Sequence, residues 1–257
     1  MTSALSPGRP PALLRFTPHV AALCLVAAVA WVGAVREATR MGNGPGTMGL
    51  GTWTFLGMWA LMMAAMMLPS VAPVASLYAR TVRSARTGRL AMFTGGYLVV
   101  WAAAGIPAYG LLRATGALAG SHPLVARGAA AGLLAFAGAW QFSGAKDRCL
   151  ARCRSPIGTV LHYSGYRGRA RDLKASVHHG AFCLGCCWAL MALLAVFGVM
   201  NVAAMVVLAA VVLLEKLWDY GAGFSRIVGV ACFALAAAAL FTPALTPGLH
   251  PPTSMHM

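Results

Sequence analysis

The sequence predicts an all-α protein, a polytopic membrane bundle of about seven transmembrane helices. Three observations carry that expectation. Of 257 residues, 60% are hydrophobic and 10% are charged, with a mean hydropathy of +0.74. Several apolar runs reach the ~20 residues that a helix needs to cross hydrocarbon. Lys and Arg also fall unevenly between alternate loops, 16 against 4, which is the bias that marks cytoplasmic loops.

Seven spans follow along the chain. Val20–Val35 is short and preceded by Arg9 and Arg15, the flank of a signal peptide. The apolar spans that follow at once favour an uncleaved first helix; cleavage would leave six. Trp53–Ala79 holds a run of methionines with Pro69 and Pro73, and Leu90–Leu112 comes next. Leu124–Phe142 contains Gly128-x-x-x-Gly132, a spacing that suits close helix packing. His178–Met200, Val202–Leu217 and Ile227–Leu245 complete the set. No soluble domain is expected, so residues 1–257 read as one integral membrane domain.

The charge split orients it. The 1–19 segment and the basic 143–177 loop read as cytoplasmic, and the 246–257 tail as external, in a bacterial inner (cytoplasmic) membrane. The net charge of +15 therefore belongs to loops lying against anionic lipid. Nucleic-acid binding is not supported, and the lipid bilayer is the expected partner. Gly42-x-Gly44-x-Gly46 follows no strand and is no dinucleotide motif. With no P-loop, nucleophile elbow or His-Glu-x-x-His, the sequence leans away from an enzyme.

Five of the seven cysteines fall in two groups, Cys149-x-x-x-Cys153 and Cys183-x-x-Cys186-Cys187. Cys183, Cys186 and Cys187 stand at i, i+3 and i+4 and share one helix face. His179 lies a turn before them and Met191 a turn after. At 1.5 Å per residue they sit ~8–14 Å in from His178. Cys149 and Cys153 also face one way on a helix, and the cations around them (Lys146, Arg148, Arg152, Arg154) are expected to lower their thiol pKa. The cytosol keeps thiols reduced, so metal ligation or transient redox gains weight over structural disulfides. Cys24 and Cys232 stand alone and read as small core residues.

Met62, Met63, Met66 and Met67 recur at three and four residues and line one face of the second span. Beside the backbone bonds that Pro69 and Pro73 remove, a thioether stripe suits a Cu(I) path; methionine also fills irregular packing gaps. Glu215 beside Lys216 reads as an interfacial ion pair or anchor. The tail, His250 through Met255-His256-Met257, reads as a disordered terminus or a weak metal collector.

These residues resemble an uncharacterised bacterial family of predicted metal-binding integral membrane proteins. The matching pieces are Met58-Trp59…Met62…Ala65-Met66-Met67-x-Pro69, Tyr97…Trp101 and Gln141-x-Ser143-x-x-Lys146-x-x-Cys149-Leu150-x-x-Cys153-Arg154-Ser155-Pro156. Gly180-x-x-Cys183-Leu184-Gly185-Cys186-Cys187-Trp188-x-Leu190-Met191, Met200-Asn201, Met205 and Glu215-Lys216 follow. Gly144-Ala145 departs from the Pro-Leu of the family. The resemblance implies a membrane fold and a metal ion.

The sequence thus favours a protein that binds a soft transition metal, copper preferred, with onward relay as an extension of that reading. The ligand set is Cys149, Cys153, Cys183, Cys186, Cys187 and His179, with Met62 and Met66 as a softer continuation. Thiol and thioether together favour Cu(I), whereas thiolates with His179 alone fit Zn(II). A membrane thiol–disulfide relay and an assembly partner with packing cysteines are the alternatives.

Overall fold

The computed structural model describes residues 18–41, 46–82, 85–119, 123–168, 170–242 and 245–249. Among them the fold is all-helical. The helices are α1 (Pro18–Met41), α2 (Thr52–Thr81), α3 (Arg86–Ala103), α4 (Gly105–Ala119), α5 (Pro123–Gln141) and α6 (Gly144–Arg154). They continue with α7 (Pro156–Ser164), α8 (Arg171–Ala192), α9 (Leu194–Phe197), α10 (Val202–Leu217) and α11 (Gly221–Phe241).

Among the described residues, five helical stretches are long and apolar enough to cross a membrane: Pro18–Met41, Thr52–Thr81, Arg86–Leu118, Arg171–Phe197 and Gly221–Phe241. The third joins α3 to α4 across a break at Ala104, where Pro107 removes the amide that would bond the Ala103 carbonyl. The fourth joins α8 to α9. The seven expected spans reduce to five on this criterion: α10, with 16 residues, is too short, and α5, though 19 residues long, does not join the five. Large apolar side chains such as Leu25, Val29, Ile227 and Val230 face outward, which is compatible with membrane insertion.

α2 lies at the centre, packed on α1, α3, α4, α7 and α10. Both prolines sit inside one continuous helix. Ser70 Oγ donates to the Met67 carbonyl at 2.9 Å, and Ser76 Oγ to that of Pro73 at 2.9 Å. These hydroxyls add bonds to the turns just after each proline, while the carbonyls that the prolines free are those of Ala65 and Pro69. α8 begins at Arg171, seven residues before the expected span. Its polar start is held by Asp172, which accepts from Arg89 Nη2 at 2.7 Å and Nε at 2.9 Å and from Tyr78 Oη. That cluster ties α2, α3 and α8 at one end.

After α9 the chain reverses at Gly198, whose φ of 94° only glycine adopts without strain. Asn201 closes the turn: its Oδ1 caps α10 at the Ala204 amide, 3.1 Å, and its Nδ2 donates to the Phe197 carbonyl, 3.0 Å. Thr246 and the 3-10 turn Pro247–Leu249 pack against the bundle, while His250, Met255, His256 and Met257 lie outside the described residues. Cys24 is exposed on α1 rather than buried, whereas Cys232 is buried.

Close packing of α5 falls elsewhere than at Gly128-x-x-x-Gly132. A Cβ built on either of those glycines meets nothing within 4 Å, whereas one on Gly138 would lie 3.0 Å from the Gly229 carbonyl of α11. Gly138→Leu should therefore pry α5 from α11 and cost about 1–3 kcal/mol as overpacking. Gly128→Leu should leave thermal unfolding in detergent nearly unchanged, and equal shifts in the two variants would refute this packing assignment.

Candidate metal centre

α6 carries the first cysteine pair, and its ends are defined chemically. Ser143 Oγ accepts the Lys146 amide at 3.1 Å as an N-cap. Asp147 in the first turn and Arg152 and Arg154 in the last suit the helix dipole. Two contacts bind α6 to α10. Lys146 Nζ lies 2.7 Å from Glu215 Oε2, with both side chains at most 1% exposed. Arg154 donates to the carbonyls of Glu215 at 2.8 Å and Asp219 at 2.7 Å. Gln141 Nε2 donates to the other Glu215 oxygen at 3.0 Å, and Ser225 Oγ donates to Gln141 Oε1 at 3.0 Å. The carboxylate is thus satisfied on both oxygens, the condition under which a buried ion pair is tolerated.

This clamp seats α6 on α8. Cys149 Sγ lies against Gly185, where a built Cβ would come within 2.7 Å of it. Cys153 Sγ stands 3.9 Å from Cys186 Sγ. Sulfurs sharing a tetrahedral ion at ~2.3 Å each would be about 3.8 Å apart, so the approach suits a shared soft ion. On α8, Cys186 and Cys187 donate back to the Cys183 carbonyl at 3.1 and 2.9 Å. All three cysteines are buried, and the seven cysteines of the chain are free thiols. Among the described residues, no three of His, Cys, Asp or Glu converge as a ready-made ligand set.

Cys183 has the most polar surroundings. Its sulfur accepts from Lys216 Nζ at 2.9 Å and lies 2.9 Å from Tyr97 Oη. Lys216 also donates to Ser70 Oγ at 3.1 Å, and Tyr97 Oη lies 3.5 Å from the Met67 carbonyl. Glu215 and Lys216 therefore do not pair with each other as the sequence suggested. Neighbours on a helix diverge by ~100°, so each enters a different buried compartment. The sequence reading missed Lys216 and Tyr97 as neighbours of the thiols; a lysine in an apolar helix was the available signal.

The remaining expected ligands are placed less directly. His179 is buried between Phe93 and Tyr97, with ring centroids 6.1 and 6.0 Å away. Met62, Met63, Met66 and Met67 are all fully buried in α2. The recorded bonds linking α2 to Cys183 run through Tyr97 and Lys216, not through the thioethers. The expected lowering of the α6 thiol pKa is also corrected. Burial pushes the Cys149 thiol up, with Cys186 adding to the rise, and Arg148 opposes it only in part. Cys153 is raised well above the usual thiol range, chiefly by hydrogen bonding to Cys183 and Cys186.

Fold and site together define a class: a bundle of membrane-length apolar helices around a buried group of thiols with a lysine against one of them. A family model described as PpoB2: Copper chaperone matches residues 56–239, and the chain belongs to that family. The match spans every thiol of the centre, together with Lys146, Glu215 and Lys216. No curated protein and no solved structure matches the chain.

Removing one partner of the α6 clamp should expose its role. Lys146→Met strands the Glu215 carboxylate and should destabilise the protein by about 3–5 kcal/mol, whereas Lys146→Met combined with Glu215→Leu should recover most of that loss. Thermal unfolding in detergent checks this, and additive losses would show that the pair does not clamp α6.

Proposed function

We propose that this chain is a membrane-embedded copper chaperone that takes up Cu(I) on Cys149 and Cys153 and holds it with the thiols of α8. The observation that carries the reading is the 3.9 Å approach of Cys153 and Cys186 across two helices in a chain of a copper-chaperone family. Soft thiolates and neighbouring thioethers together suit Cu(I), and the 3.9 Å spacing fits adjacent sulfurs of a trigonal or tetrahedral set, whose further members Cys149, Cys183 and Cys187 would supply. Lys216 supplies the positive charge that a buried thiolate at Cys183 needs. In this reading His179 is a reserve ligand one turn from Cys183, and Met62 and Met66 extend the path on α2.

The membrane arrangement belongs to the same proposal. α5 and α10 cross with the five longer stretches to make seven spans, and the basic end with the thiols faces the cytoplasm of a bacterial inner membrane. The N-terminus then lies inside and the C-terminus outside, following the 16-to-4 charge split. A thiol–disulfide relay is the second reading, favoured by the same sulfur pair, with Cys153 and Cys186 as the bonding partners.

Two measurements test these readings. Protein purified from copper-supplemented cells should carry copper, and Cys153→Ser or Cys186→Ser should lose most of it while Cys24→Ser retains it. A Cys153–Cys186 disulfide trapped by alkylation and mass spectrometry, with no copper in the unaltered protein, would instead establish the relay. The methionine path has its own test, since replacing Met62, Met63, Met66 and Met67 by leucine nearly conserves volume and should leave folding intact. Copper retention should nevertheless fall; full retention would reduce the stripe to packing.

A further inference from the structure

The mouth of the thiol site has the wrong sign for a bare metal cation. On α6, Arg148 and Arg152 are exposed and each precedes one cysteine, so a stripe of guanidinium groups runs alongside the Cys149–Cys153 stripe. Arg154, at the end of the same helix, spends its donors on the carbonyls of Glu215 in α10 and Asp219 just after it but keeps its charge. Three of the acids at this end are engaged, Asp147 with Arg226 at 3.6 Å, Asp172 with Arg89 at 2.7 Å and Glu215 with Lys146. The fourth, the exposed Asp219, is outnumbered by the arginines around it, Arg154 among them, which donates to its carbonyl. Deeper in, Lys216 adds another cation against Cys183. An approaching cation therefore meets repulsion from rim to core, while an anion is drawn inward.

We propose that the substrate taken up at α6 is an anionic Cu(I)–thiolate complex, not the free ion. This inference rests on the copper reading above and names the form in which copper arrives. Cu(I) held by two thiolates carries a net negative charge, so a small-molecule thiol complex or the thiolate pair of an acidic carrier fits the rim. The partly exposed Cys149 and Cys153 are the thiols it meets first. Transfer is ligand exchange: each copper–sulfur bond to the donor breaks as one to a cysteine of α6 forms. The proton of the incoming thiol passes to the departing thiolate. Copper remains Cu(I) throughout, and no electron moves. Attraction by the rim gives way to retention by the buried thiols of α8, where Lys216 balances the negative charge that the complex brings.

A matched pair of coloured donors tests this on the full chain in nanodiscs. Copper(I) bis-bathocuproine disulfonate is a trianion, copper(I) bis-neocuproine is a monocation, and loss of either colour reports transfer in stopped flow. Transfer from the anionic donor should slow as salt rises and should slow by about tenfold in Arg148→Glu/Arg152→Glu, the scale of electrostatic steering. Transfer from the cationic donor should respond oppositely to both changes. Final copper content should stay the same in the double variant, which separates an altered approach from a damaged site. Equal salt dependence for the two donors, or unchanged rates in the variant, overturns the proposal while leaving the copper reading intact. Failure of both donors to load the unaltered protein overturns the copper reading itself, and this inference with it.

Discussion

The Lys146–Glu215 ion pair is the contact on which the position of the outer thiols depends. α6 is an 11-residue helix whose buried residues are Lys146 and Leu150, too short to be stable by itself in water. It has little apolar surface with which to hold its place. The buried pair and the Arg154 bonds to the carbonyls of Glu215 and Asp219 supply that hold through charge-assisted hydrogen bonds, which fix direction as well as distance. A salt bridge so deeply buried gains little net stability over an apolar pair. Its value here is placement: it sets the register of α6 on α8, and with it the 3.9 Å between Cys153 and Cys186.

The next residue of α10 shows how far local sequence can mislead. Glu215 and Lys216 look like a self-neutralising pair, and pairing would have left Cys183 without a cation. Helical geometry separates them by ~100°, so the acid neutralises Lys146 and the lysine turns to sulfur. The cysteine stripe on α8, by contrast, was legible, because i, i+3 and i+4 positions share a face wherever the helix runs. The start of α8 was not. Arg171 and Asp172 looked like loop, yet Asp172 finds Arg89 and Tyr78 and the helix extends through them. Small residues misled in a similar way: Gly128 and Gly132 have the spacing of a packing motif, whereas the contact is made by Gly138 and Gly229, a pair that no spacing within one helix reveals.

Thiol chemistry shows the same limit. Flanking arginines on α6 suggested activated thiolates, but a charge acts through distance and solvent, whereas burial acts on the sulfur itself. Cys149 loses more to burial than Arg148 returns. On the uptake proposal, the arginines matter for what they attract from outside more than for the state of the neighbouring sulfur. That division of labour separates a charged, accessible rim on α6 from a buried sulfur set on α8.

On the copper reading, the depth order of the ligands then has a consequence for any onward path. Cys186 faces α6 through Cys153, so it is the natural receiving thiol. Cys183 holds Lys216, itself bonded to Ser70, and Tyr97, which lies 3.5 Å from the Met67 carbonyl. Those bonds connect α8 to the methionine helix. An ion passing from sulfur to thioether would have to disturb them, because both Lys216 and Tyr97 use Cys183 as a partner. Cys183, not Cys187, is therefore the junction between the thiol set and α2, although Cys187 lies further along α8. Negative charge brought to Cys183 strengthens the hold of Lys216, and its departure loosens it, so the lysine couples occupancy of the thiols to the packing of α10 against α2.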